Sequence, residues 1–230
     1  MRWLVTVVIA LAAGFAGAGL WDLGGLGDRS TRAWLLANPE VLPEAMEVLQ
    51  RREELARIDP LRGELEAPFP GAVLGNPSGS VTLVEFSDYA CSYCRQSMAD
   101  VDALIAANPD LKVVIREYPI LRPESVEAAR MALAAAQQGK YAAFHEAMFR
   151  IGPSSTEAID VAAQEAGVDL ALARSAIDSG ALDLQLHANA ALANQIGISG
   201  TPGWVIGDRF FNGAVDRGVI GEAIEEARRS

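Results

Sequence analysis

Cysteine is close to absent from this chain. Its 230 residues include two, Cys91 and Cys94, held together in Cys91-Ser92-Tyr93-Cys94. A disulfide-stapled secreted scaffold needs many pairs and is excluded. Histidine is as scarce, with only His145 and His187. A tetrahedral zinc site would have to recruit both histidines to the two thiols, and both lie in stretches that read as helix, so no metal site is expected. Positive charge is in the minority: Lys plus Arg total 19 against 30 Asp plus Glu, a net charge of −11. Nucleic-acid and anionic-membrane binding need a basic footprint and are disfavoured. Long Met-rich or His-rich stretches and internal repeats are also lacking. What the chain does have is apolar content. With 50% hydrophobic and 21% charged residues, a packed core is attainable and global disorder is not expected.

The start of the chain carries one cation, Arg2, then an apolar run, then Ala16-Gly17-Ala18. This is the three-part pattern of a secretory signal over residues 1–18, cut after Ala18. An uncleaved anchor reaching about residue 23 is the rival reading. Either one puts the remainder outside the cytoplasm, where a close-spaced cysteine pair can be redox-active.

Residues 30–58 read as a helical extension. Asn38 is suited to a cap, Pro39 to a first helical position and Glu40 to the positive end of the dipole. Leu35, Leu42, Leu49 and Ala56 recur every seven residues. That stripe fits an oligomerisation segment, or a helix packed on its own domain. Residues 60–79 hold four prolines and four glycines and read as a linker or lead-in. Val81-Thr82-Leu83-Val84-Glu85-Phe86 is a buried-type strand, followed by the cysteine turn, a helical stretch and a second strand from Leu111 to Glu117, a parallel βαβ unit. Residues 123–179 are Ala-rich and helical, with Thr156 and Asp169 as expected caps. His145 and His187 fall on such helices and receive no role. Late in the chain, Trp204-Val205-Ile206 and Arg209-Phe210-Phe211 flank Gly207-Asp208 as a hairpin, and a closing helix follows.

Three segments carry a family resemblance: the strand Val81-Thr82-Leu83-Val84-Glu85-Phe86, the Cys91-Ser92-Tyr93-Cys94 turn and Gly200-Thr201-Pro202. Together they resemble the DsbA-like thioredoxin-fold disulfide oxidoreductases of the bacterial envelope, over residues 73–230. The N-terminal helix with Asn38-Pro39-Glu40 resembles the extension of the ScsC-type branch, where it assembles protomers. The fold class implied is α/β: a thioredoxin-like domain with an inserted helical subdomain at residues 123–179, preceded by a helical extension. The resemblance implies a periplasmic protein-disulfide oxidoreductase. Its partners would be exported proteins bearing thiols or disulfides and a membrane redox partner, and its redox centre a Cys91–Cys94 disulfide without metal or organic cofactor.

The residue types fit that chemistry. A strand leading into a helix puts Cys91 at the helix N-terminus, where unpaired N–H groups and the dipole favour an anionic sulfur, the attacking species. Cys91 is the expected nucleophile. Cys94, one turn further in, would resolve the mixed disulfide. With no other thiol in the chain, an intrachain disulfide must join these two. Ser92 and Tyr93 would tune the potential, and they match neither the Pro-His of oxidising DsbA nor the Gly-Pro of reducing thioredoxin. The resemblance makes Glu85 a buried proton relay and Thr201-Pro202 a cis-proline loop that pairs with an extended substrate. Oxidase and isomerase or reductase directions both stay open. So do a non-catalytic thioredoxin-like binding module with an inert disulfide, and Cu(I) handling by the paired thiols.

Overall fold

The computed structural model describes residues 26–153 and 155–229, and scattered helical positions between 3 and 14. The cleavage site expected after Ala18, and the end of the alternative anchor, lie outside the described residues. Among the described residues no helix is long and apolar enough to cross a membrane. The chain divides into two compact units, residues 1–50 and 51–230.

The extension is two helices rather than one, α1 (Leu26–Ala37) and α2 (Val41–Ile58). The break has a local cause. Pro39 disfavours helical backbone at the residue before it. Asn38 accordingly turns its backbone N–H and its side-chain amide back onto the Trp34 carbonyl, at 2.9 and 2.8 Å. Asn38 thus closes α1, where the sequence reading used it to open a helix.

Residues 60–79 also differ from the expected linker. They include the end of a 3₁₀ turn (Asp59–Leu61), the short helix α3 (Arg62–Glu66) and strand β1 (Val73–Gly75). Leu65 and Ala72 are fully buried. Prolines here bound short packed elements instead of marking a loose tether.

The larger unit is built on a five-stranded sheet of order β1-β3-β2-β4-β5. The other strands are β2 (Val81–Ser87), β3 (Leu111–Glu117), β4 (Gly203–Ile206) and β5 (Arg209–Asn212). β2 and β3 pair in parallel, joined by α4 (Ser92–Ala107); the remaining pairs are antiparallel. Gly207, with φ of 53°, supplies the left-handed residue of the two-residue β4–β5 turn. Both sheet faces are covered, so the inner strands read as continuous apolar runs. The pleat divides them by parity. Leu83, Val113, Ile115 and Trp204 enter one core with α4 and the inserted helices, while Val84, Phe86, Val114 and Val205 enter the other with Ile58, Leu65 and Ile196.

The insertion comprises α5 (Pro123–Gln137), α6 (Tyr141–Ile151), α7 (Thr156–Glu165) and α8 (Leu170–Asp178). Leu133, Phe144 and Met148 are buried within it. Asp169 caps α8 through its side chain, but α7 is capped by Ser155, one residue before the expected Thr156. α9 (Ala181–Ile196) and the closing helix α10 (Arg217–Arg229) complete the unit.

Candidate active site

β2 ends at Ser87, and the loop from Asp88 to Ala90 carries the chain to α4. Asp88 shapes that loop. One carboxylate oxygen accepts the Ala90 N–H at 2.8 Å, and the other accepts the N–H groups of Ile120 and Leu121 at 2.8 and 2.9 Å. Its backbone carbonyl accepts the Cys91 N–H at 2.9 Å. Cys91 is then the N-cap of α4: extended backbone, with its sulfur accepting the Cys94 N–H at 3.4 Å. A capping sulfur in this position receives an orphan helix N–H and the positive end of the dipole. Asp88 was not singled out from sequence. An Asp two residues before a turn N–H is the signal that marks it.

Both cysteines are free thiols, Cys91 at 6% exposure and Cys94 at 0%. Ser92 and Tyr93 between them are exposed. Across the site the Thr201–Pro202 peptide is cis, and the Cys91 thiol donates to the Thr201 carbonyl at 3.2 Å. The Pro202 carbonyl in turn accepts the Gly213 N–H at 2.8 Å. Gly203 follows because nothing larger fits: a Cβ there would stand 2.5 Å from the Ile198 side chain. The loop therefore lies against the cysteines with an unbranched backbone behind it. Trp204 is fully buried, and its indole N–H donates to the Gly213 carbonyl at 3.1 Å.

Glu85 lies behind the thiols on β2, 3% exposed, between Ile115 of β3 and Trp204 of β4. Burial pushes its carboxyl up to about 8, because a charge there loses its hydration without a cation to replace it. Burial, and next the charge of Glu85, push the Cys94 thiol well above the usual thiol range. The Cys94 thiol is thus held in its protonated form, with the Glu85 carboxyl close enough to act on it. The structure brings Cys91, Cys94, Glu85, Thr201 and Pro202 to one place.

It also assembles a group that the sequence reading did not connect. Tyr89 and Tyr141 direct their hydroxyls onto the same Glu117 oxygen, at 3.0 and 2.7 Å, and both approach His145 Nδ1, at 3.0 and 3.4 Å. Glu117 and His145 are each 1% exposed. Burial pushes Glu117 up to about 8 and holds His145 down at about 3, so the imidazole is neutral. The four residues are separated by up to 56 positions in sequence, and only a fold brings them together. His187, by contrast, is exposed on α9.

Comparison with known proteins agrees with this geometry. A family model described as a DSBA-like thioredoxin domain matches residues 82–225. One described as the copper resistance protein ScsC N-terminal domain matches residues 32–56. Among solved structures, a thioredoxin-like oxidoreductase from Silicibacter pomeroyi DSS-3 is 41% identical, with a TM-score of 0.66 over 69% of this chain and 92% of that one. The thiol-disulfide exchange protein alpha-DsbA2 from Wolbachia pipientis is 28% identical, with a TM-score of 0.70 over 77% of this chain and 97% of that one. Salmonella enterica Typhimurium BcfH is 26% identical, with a TM-score of 0.66 over 93% and 99%. A curated relative, the Na(+)/H(+) antiporter NhaA of Herminiimonas arsenicoxydans, is 30% identical over 159 residues, 68% of this chain. The chain spans a quarter or less of the length of the curated relatives it matches. The two-cysteine helix cap, the facing Thr201–Pro202 loop and the family match over most of the larger unit have one reading: this chain belongs to the DSBA-like thioredoxin domain family.

Proposed function

We propose that the chain exchanges disulfides with exported proteins in the bacterial cell envelope, through Cys91 and Cys94. The observation that carries this reading is the Cys91 thiol at the α4 N-terminus, 3.2 Å from the Thr201 carbonyl, with Cys94 buried one turn behind. In the reducing direction the Cys91 thiolate attacks a client disulfide. The client S–S bond breaks, one client sulfur leaves as thiolate, and a Cys91–client disulfide forms. Cys94 then gives its proton to ionised Glu85 and attacks the Cys91 sulfur. The second client sulfur leaves as thiolate and is protonated. Two electrons have passed from the dithiol to the client. The oxidising direction is the reverse, and the membrane redox partner sets which one runs.

Thr201 and Pro202 are proposed to seat an extended client segment. Proline adds no N–H to the face turned towards the sulfurs, and the Thr201 backbone can pair with the client strand. Ser92 and Tyr93, exposed on the first turn of α4, would tune the potential and meet the client. Residues 30–58 are proposed to join copies of the chain. The seam residues Leu42 and Leu49 are about half exposed, as is Trp34, and protomer assembly would cover them. Export of the chain to the periplasm by the signal pattern at residues 1–18 belongs to the same proposal.

The test is Cys91→Ser in an insulin-reduction assay driven by glutathione. Activity should fall to the uncatalysed rate, while the folded content by circular dichroism stays unchanged. Retained activity would overturn the assignment.

A further inference from the structure

Two buried acids, Glu85 beside Cys94 and Glu117 on the next strand, share one face of the sheet. β2 and β3 run parallel with Glu85 opposite Ile115 and Ser87 opposite Glu117. The side-chain period of two puts Glu85, Ser87, Ile115 and Glu117 on one face of the sheet. That face also receives Cys94 and Tyr89. Glu117 therefore sits one strand over and one pleat along from Glu85. Strand spacing makes them diagonal neighbours at roughly 7–8 Å between backbones, within reach of long side chains.

The groups facing Glu117 come from every element around it. β2 contributes Glu85, the 88–90 loop Asp88 and Tyr89, and α6 Tyr141 and His145; Cys94 of α4 faces Glu85. The nearest cation in sequence, Arg116, projects to the opposite face of the sheet, where it bonds α3 and α9. These facing groups include no cation, so each acid opposes ionisation of the other.

Buried Glu117 Oε2 and His145 Nε2 have no hydrogen-bond partner among the described residues. In one arrangement Glu117 is a carboxylate: both tyrosine hydroxyls donate to it, and His145 Nδ1–H donates to a tyrosine oxygen. In the other Glu117 is neutral: its proton goes to Tyr89, the Tyr89 hydroxyl turns to His145 Nδ1, and the imidazole N–H sits on Nε2. The heavy atoms are common to both, because hydroxyl and imidazole protons can be reassigned without moving them. Such a cluster takes up or releases one proton without repacking.

We propose that Glu117 is a positioning residue for the exchange reaction: with Tyr89, Tyr141 and His145 it holds one proton behind Glu85 and so decides when Glu85 can take the proton of Cys94. The proposal rests on the exchange reading above. While Glu117 is protonated, Glu85 can ionise and serve as the base for Cys94. Once Glu117 is ionised, a second charge one strand away is opposed, and Glu85 stays neutral. Tyr89 adds a mechanical link, since it lies two residues before Cys91 and is held by β3 and α6 at once.

The test is the titration of the full chain by carbon-13 carboxyl NMR, with both cysteines intact, alongside the pH profile of disulfide exchange. Wild type should show two coupled carboxyl steps shared by Glu85 and Glu117, separated by more than about one pH unit. Glu117→Gln and Glu85→Gln should each leave a single step. The Glu117→Gln exchange profile should change shape, with its plateau rate within about threefold of wild type. Tyr141→Phe removes a donor to the carboxylate and keeps the acid, so the Glu117 step should move to higher pH. A Glu117 carboxyl that titrates alone, near the ordinary value of about 4.3, or a Glu117→Gln profile superimposable on wild type, overturns the proposal and leaves the exchange reading intact. Coupled carboxyl steps in a protein that exchanges no disulfides would support the acid pair and sink the exchange reading instead.

Discussion

Arg116 and Glu117 are neighbours on β3, both are buried, and the pleat sends them to opposite faces of the sheet. Arg116 is bonded through both terminal nitrogens, while its Nε, like one oxygen of Glu117, has no partner among the described residues. Its Nη2 reaches the carbonyls of Glu64, Leu65 and Ala67, the last two at 3.1 and 2.5 Å, and its Nη1 donates to Asn189 Oδ1 at 3.2 Å. The carbonyls at the end of α3 need donors, and a guanidinium supplies several in one plane. Glu117 has two hydroxyls on one oxygen, nothing on the other, and a neutral imidazole below. A guanidinium held at both terminal nitrogens keeps one charge state and one conformation. A half-filled shell leaves a proton free to come and go. The first arrangement serves stability by pinning the lead-in from the extension. The second, on our proposal, serves the proton transfer between Cys94 and Glu85.

That contrast can be broken or sharpened by experiment. The largest effect expected is on stability against pH. Glu85 and Glu117 have folded values of about 8 against 4.5 in an unfolded chain. Between those values the native state holds protons that the unfolded state has lost. Stability is therefore full below about pH 4.5, falls as pH rises and levels off only once the second of the two coupled carboxyl steps is passed, with a slope of at most about 1.4 kcal/mol per pH unit for each acid. Urea unfolding of wild type from pH 5 to 8 should lose several kcal/mol, and Glu117→Gln should remove about half of the slope. A wild-type midpoint that rises over this range contradicts the account. Next in size, Arg116→Ala should lose about 3 kcal/mol at any one pH in that range, because it strands buried carbonyls, while leaving the slope unchanged. Should the slope flatten with Arg116 gone, the two faces are not independent. A smaller loss, about 1–2 kcal/mol, is expected from Asn189→Ala. Asn189 bridges the faces by accepting from Arg116 and donating to the Glu117 carbonyl at 3.0 Å. The same titration reads it, and a loss beyond that of Arg116→Ala would show the bridge to matter more than the arginine.

What was legible in the sequence followed local chemistry. The run from Val81 to Phe86, the Cys91–Cys94 turn and the Gly207-Asp208 hairpin are each written in eight residues or fewer, and β2, α4, β4 and β5 appear where those signals stand. Glu85 stood out as an acid inside an apolar strand. Glu117 carried the same signal at the end of β3, but strand ends are where acids ordinarily meet solvent. Its partners Tyr89, Tyr141 and His145 come from a loop and a distant helix, so no spacing rule joins them. β1 is three residues long, too short for any period to show, and α3 is held by Arg116, a tertiary bond. The break at Asn38 was readable from Pro39, which disfavours helix at the residue before it; α2 opens just beyond it, at Val41, with the carbonyls of Asn38 and Pro39 accepting the N–H groups of Val41 and Leu42.

The most direct test of the central claim is the equilibrium of the full chain with glutathione, with the state of the cysteines read by thiol trapping and mass. Cys91 and Cys94 should interconvert reversibly between dithiol and disulfide, at a potential between about −120 and −270 mV. A pair that stays oxidised at potentials below about −300 mV, as structural disulfides do, would contradict the account.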